Sequence, residues 1–129
     1  MTRSDADPAL VVRRFNDFIN ERDLDGLTGM MSADHVFVDT TGAAVTGRSA
    51  CADAWRGFFG AFPDYRNVFT EVTVGGERLT KTVTVVGHSI CSEPALAGPA
   101  LWTATVREGR IARWQVHEDT PDNRRRLGL

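Results

Sequence analysis

The sequence predicts an α+β fold, with three N-terminal helices packed on a curved antiparallel sheet, and three features of its 129 residues carry that prediction. Apolar residues recur at helical spacing through the first half of the chain. From Arg66 onward the period drops to two, the signature of strands with one buried face. Gly75-Gly76 and Glu108-Gly109 read as hairpin turns that divide this second half. Helices first and strands last favour α+β packing over alternating βα units.

Asp7-Pro8 marks the first helix: the Asp side chain accepts from a free N–H of the opening turn, and Pro fills a position that needs no donor. Val11, Phe15, Phe18 and Arg22 follow at helical spacing, with Leu10, Val12 and Ile19 widening the stripe, so the helix covers about residues 8–21. Leu24, Leu27, Met30 and Met31 after Asp23 suggest a short second helix, weakened by Gly26 and Gly29. HVFVD at 35–39 reads as a strand, followed by a turn at Thr41-Gly42 and a short run to Gly47. Ser49 is placed to cap a third helix in which Cys51, Trp55, Phe58 and Phe62 share a face, and Pro63 ends it. Strands over about 66–74, 77–88, 99–107 and 110–118 complete the chain, the middle pair joined by an irregular segment at 94–99. Residues 1–6 and the arginine-rich 123–129 read as peripheral.

Length and composition fit one globular domain, 1–129, with a core over about 9–120: 42% of residues are hydrophobic and 25% charged. Fifteen basic and seventeen acidic residues, net −2, are spread along the chain and leave no electrostatic footprint for nucleic acid. No apolar run approaches the roughly 18 residues of a membrane span, and MTRSDADPAL lacks a signal-peptide core, so a cytoplasmic protein is expected. Cys51 and Cys91 have no partner at metal-ligand spacing and read as reduced structural thiols. The three His and the acids show no H-x-x-x-H or H-x-H spacing, so no metal is expected; no G-x-S-x-G elbow accompanies Ser49, Ser89 or Ser92.

With these elements placed, the chain resembles the SnoaL-like polyketide cyclase family of the nuclear transport factor 2-like superfamily. The resemblance rests on ERDLDGLTGMMSADHVFVD after the opening helix, TGR before the helix carrying Trp55, the FPD of Phe62-Pro63-Asp64, the GGER segment and the closing EGRIARWQVHEDT. It implies a cone-shaped, cystatin-like sheet closed on one side by helices, a hydrophobic pocket at the wide end, and a homodimer. It also implies cofactor-independent acid/base chemistry (cyclisation, isomerisation or dehydration) on a small apolar carbonyl compound, or a non-catalytic module that binds a hydrophobic ligand or serves as a scaffold for a partner subunit. In many such proteins an acid follows the last-strand Trp; here Gln115 stands there.

Alternation splits the last strand into one face with Ala112, Trp114, Val116 and Glu118 and another with Ile111, Arg113, Gln115, His117 and Asp119. If the first lines the pocket, Glu118 enters low dielectric, where desolvation raises a carboxyl toward the range of a general base. A bulge near the strand end would instead turn His117 or Asp119 inward. Asp39 ends the first strand at the expected rim, either as a site residue or as the acceptor of an Asx-turn with 40–42. His88 is the remaining candidate for holding or polarising an oxygen. Candidate ligand-binding residues are Trp102, Trp114, Trp55, Phe15, Phe58 and Val116, large apolar groups suited to walling a flat ligand. Thr80, Thr82, Thr84, Thr103 and Thr105 on one sheet face suit a sheet-to-sheet dimer.

Overall fold

Asp7 opens the first helix as its chemistry predicts, its Oδ1 accepting from the Ala9 N–H at 3.0 Å. The computed structural model describes residues 7–129, so the expectation for 1–6 lies outside the described residues. Helix α1 runs Pro8–Glu21 and buries Val11, Val12, Phe15, Asn16 and Ile19, the predicted stripe plus one amide. Arg22 ends it in the left-handed region (φ 56). Helix α2, Leu24–Gly29, is shorter than predicted because Met31 already belongs to strand β1, Met31–Val38. Strand β2, Ala44–Thr46, precedes helix α3, Arg48–Ala61.

Two local expectations are corrected. Ser49 does not cap α3: the cap position is Gly47, at φ 100, and no side chain among the described residues makes a capping bond there. Gly75-Gly76 is not the hairpin turn. Both glycines pair in the ladder, with Thr82 and Lys81, between strand β3 (Arg66–Gly76) and strand β4 (Thr80–Ile90), and the turn is made by residues 77–79. Glu108-Gly109 does form its predicted turn between strand β5 (Gly98–Arg107) and strand β6 (Arg110–Glu118), with φ 52 and 74 at the two residues. Helix α4, Pro121–Arg126, occupies most of the segment read as peripheral, and Thr120 Oγ1 caps it by accepting from Asn123 N–H at 3.1 Å.

The six strands form one curved, unclosed sheet in the order β2-β1-β6-β5-β4-β3. All pairs are antiparallel except β1 with β6, which is parallel, so the predicted antiparallel sheet is a mixed one. Two bulges bend it. In β3, Phe69 pairs with Gly87 and Glu71 with Val86, leaving Thr70 extra. In β6, Ile111 pairs with Val106 and Arg113 with Thr105, leaving Ala112 extra, so Ile111 and Ala112 are both buried.

The core lies between the concave face of the sheet and α1. Phe15 packs on Trp114 at a ring separation of 4.7 Å, and Phe69 packs on Trp102 at 5.2 Å. His35 is fully buried beside Phe15. Its Nδ1 donates to the Ile111 carbonyl at 2.7 Å, while Nε2 has no partner among the described residues.

Candidate functional site

Where α1 stops covering the sheet, α3 and the ends of the strands enclose a cavity of about 720 Å³. Phe37, Val45, Trp55, Phe58, Trp114, Val116 and Leu96 supply its apolar wall. Trp55 organises the aromatic side: its ring meets Phe37 and Phe58 edge-on at 5.7 Å and lies 5.5 Å from Phe59. Such edge contacts fix ring positions and leave the faces available to a ligand.

Of the six predicted ligand-binding residues, Trp55, Phe58, Trp114 and Val116 line this cavity. Trp102 and Phe15 do not: both are fully buried and packed on the core aromatics, so their role is to support the wall rather than form it.

The predicted acid/base residues separate in the same way. Asp39, His117, Glu118 and Asp119 all border the cavity. Asp39 closes an Asx-turn, its Oδ1 accepting from Thr41 N–H (2.8 Å), Thr41 Oγ1–H (2.6 Å) and Ala43 N–H (3.1 Å). These bonds, the Thr41 hydroxyl first, hold its carboxyl below the usual range and hence ionised. Asp119 is gripped by Arg124, with Nε and Nη2 donating to its two oxygens at 2.6 and 2.8 Å, which likewise lowers its pKa. Glu118 is exposed at the mouth rather than desolvated, which corrects the expectation of a low-dielectric site, and its carboxylate has no hydrogen-bond partner among the described residues.

His117 turns its ring to the convex face, where Nε2 meets Thr103 Oγ1 at 2.9 Å. Burial, then the Arg126 and Arg113 charges, push its pKa down. The bulge of β6 falls near the start of the strand, so it does not rotate His117 inward. His88 does not border the cavity: alternation along β4 puts it on the face opposite to Val83, Val85 and Ser89.

Sequence reasoning missed the wall residues Phe37, Val45 and Leu96 and the buried polar pair Tyr65 and Ser89. Tyr65 and Ser89 line the cavity while being only 8% and 7% exposed. Tyr65 Oη lies 3.4 Å from Ser89 Oγ, which donates to Asn67 Oδ1 at 2.7 Å. Burial raises the Tyr65 pKa, so the phenol stays neutral. A lone Tyr after Phe62-Pro63-Asp64 and a Ser in a strand carry no motif; their only sequence signal is a polar group on an inward-facing position.

Helix α1 sets this polar patch. Asn20 Nδ2 donates to the Asn67 carbonyl and Asn20 Oδ1 accepts from the Asn67 N–H, both at 2.9 Å. Asn16 Nδ2 adds a third bond to the same carbonyl at 3.1 Å. Arg22 donates to the Tyr65 carbonyl at 2.7 Å. The arrangement provides a neutral hydrogen-bonding end inside an aromatic cavity and carboxylates around its mouth.

Comparison with solved structures finds the same fold repeatedly. A candidate polyketide cyclase from Sinorhizobium meliloti superposes with a TM-score of 0.74 at 25% identity, over 90% of this chain and 100% of that one. A candidate dehydratase of the NTF2-like family from Streptomyces avermitilis gives 0.75 at 13% identity, over 86% and 92%. The canthaxanthin-binding orange carotenoid protein of Anabaena gives 0.79 at 15% identity, over 95% of this chain and 39% of that one. No curated protein matches. The SnoaL-like domain matches residues 12–114, most of the chain, and this protein therefore belongs to the SnoaL-like family.

Proposed function

We propose that this protein binds a small, largely apolar molecule in the cavity between α3 and the sheet. The observation that carries the reading is the composition of that cavity: an aromatic wall of Phe37, Trp55, Phe58 and Trp114 with one buried polar patch, Tyr65 and Ser89. Apolar lining with a few placed polar groups is what small-molecule sites share. The orange carotenoid protein, 39% of which this chain covers, binds canthaxanthin. Thermal-shift and calorimetric screening of uncharged aromatic compounds tests the reading, and an unchanged melting temperature across the panel refutes it.

One observation favours a second reading, acid/base catalysis on a carbonyl compound. Glu118 borders the cavity with a carboxylate that nothing among the described residues engages, unlike Asp39 and Asp119. Glu118 would take the proton and Tyr65 would donate to the carbonyl oxygen. Turnover of a carbonyl substrate that survives Glu118→Gln unchanged removes this reading and leaves binding intact. The convex threonine face, where Thr82 pairs with Thr105 and Thr84 with Thr103, supports a homodimer; a monomer by light scattering at micromolar concentration refutes that part.

A further inference from the structure

We infer that the cavity selects an uncharged ligand whose carbonyl oxygen accepts a hydrogen bond from Tyr65, and that it rejects the corresponding carboxylate. The inference rests on the binding reading above and adds the ligand's polarity and orientation.

Hydrogen accounting at the polar patch carries the first half. Ser89 uses its hydroxyl hydrogen on Asn67 Oδ1 at 2.7 Å. The Tyr65 hydroxyl hydrogen is left with Ser89 Oγ at 3.4 Å, well beyond the usual 2.5–3.0 Å of an O–H···O bond. In this arrangement the Tyr65 hydroxyl is a buried donor at the cavity wall without a close acceptor, and leaving such a group unmet is unfavourable. Because burial keeps the phenol protonated, it remains a donor throughout the neutral pH range.

Charge carries the second half. Among the described residues the cavity is bordered by three carboxylates, Asp39, Glu118 and Asp119, and by no Lys or Arg. Arg124 offsets one of them through its bond to Asp119. Arg22 stands behind Tyr65, but its guanidinium is committed to the backbone carbonyls of Asn20 and Tyr65 and does not border the cavity. A ligand carboxylate would lose its hydration without finding a cation, the least favourable form of burial.

The donor is also held in place. Phe58 meets the Tyr65 ring edge-on at 4.8 Å and 88°, and the Asn20 and Asn16 bonds to Asn67 anchor the strand that begins beside it. A fixed donor discriminates because the ligand does not have to order it.

Calorimetric titration with four probes on one ring system tests this: naphthalene, 2-acetylnaphthalene, 2-naphthoate and 2-naphthylmethylammonium. The ketone should bind about three- to tenfold more tightly than naphthalene, the range expected of one neutral hydrogen bond. Naphthoate should bind at least about tenfold more weakly than the ketone. Tyr65→Phe should bring the ketone down to the level of naphthalene while leaving naphthalene unchanged. The ranking on the unaltered protein needs no variant and stands even if Tyr65→Phe folds poorly. Equal binding of ketone and naphthalene, or tightest binding by naphthoate or by the ammonium probe, overturns the inference and leaves the apolar cavity as a binding site. Failure of all four to bind overturns the binding reading and the inference together.

Discussion

The Asn20 side chain occupies the place of a neighbouring strand for Asn67, bonding both its N–H and its carbonyl at 2.9 Å. Because β3 is the last strand of the sheet, these two backbone groups face away from β4, and a carboxamide with one donor and one acceptor satisfies both. The substitution Asn20→Leu should therefore destabilise the protein by about 1–3 kcal/mol, since the part-buried Asn67 N–H loses its partner while the carbonyl keeps only its bond from Asn16. Chemical denaturation measures it; a change below about 0.3 kcal/mol would show that water replaces the amide without loss. The same variant should weaken probe binding, as Tyr65 precedes the anchored segment.

Gly87 is required by close approach rather than by its backbone angles. A Cβ there would stand 2.1 Å from the Val68 carbonyl oxygen, beside the bulge at Thr70. Backbone cannot swing aside as a flexible side chain does. Gly87→Ala should cost at least about 2 kcal/mol, toward the upper range for overpacking, whereas Gly75→Ala, with open space around it, should cost much less. Equal losses in the two variants would contradict the account.

Two histidines make stability pH-dependent in the same direction. His35 is held below its ordinary pKa by burial, with Nδ1–H given to Ile111 and Nε2 facing no acceptor. His117 is lowered by burial and by Arg126 and Arg113. For each, the unfolded chain binds the proton more readily than the folded one. Stability is thus complete above about pH 6.5 and falls as pH drops from there through the folded pKa values. The lowered Asp39 and Asp119 pKa values add losses only in more acid solution, below about pH 5. Denaturation between pH 7.5 and 5 should show this slope, reduced in His35→Phe and reduced again when His117→Asn is added. A profile identical in all three proteins would refute the assignment.

Asp119 ties α4 to the end of β6 through its two-pronged bond with Arg124. The acid is largely covered, but the Arg side chain is 41% exposed, so water screens the pair and the global effect of Asp119→Asn should be small. Its effect should be local: faster amide exchange across residues 121–127, with the sheet unchanged. Unaltered exchange there would mean that Thr120 alone holds the helix.

Ala54 borders the cavity from α3 yet is exposed, so enlarging it should occupy ligand space without disturbing the core. Ala54→Phe should abolish binding of uncharged aromatic probes and change the unliganded melting temperature by no more than about 2 °C, as for surface substitutions in general. Retained binding would place the ligand elsewhere.

Much of the fold was legible because its signals are local. The stripe of Val11, Phe15 and Ile19, the Asp7 cap and the Glu108-Gly109 turn are each written in neighbouring residues, and each appears as predicted. Gly75-Gly76 misled because glycine marks a close approach as readily as a turn; at Gly76 a Cβ would meet the Thr80 carbonyl oxygen at 2.8 Å. Trp102 and Phe15 misled because periodicity separates inward from outward residues but not core from cavity wall. Helix α4 was hidden in a run of arginines whose helical pattern carries no apolar stripe.

By itself, then, the sequence determined the helices of the first half, the strands of the second and the gathering of acids at the end of β6, because periodicity, caps and turn residues act over a few positions. Tertiary structure alone decided that β1 lies parallel to β6, that Tyr65 and Ser89, 24 positions apart, share one wall, and that Asn20 reaches Asn67 across 47. It also decided which acids were free, pairing Asp119 with Arg124 and leaving Glu118 at the mouth. The physical reason is that burial and hydrogen-bond partnership are properties of the space a side chain enters, and that space is built by segments distant along the chain.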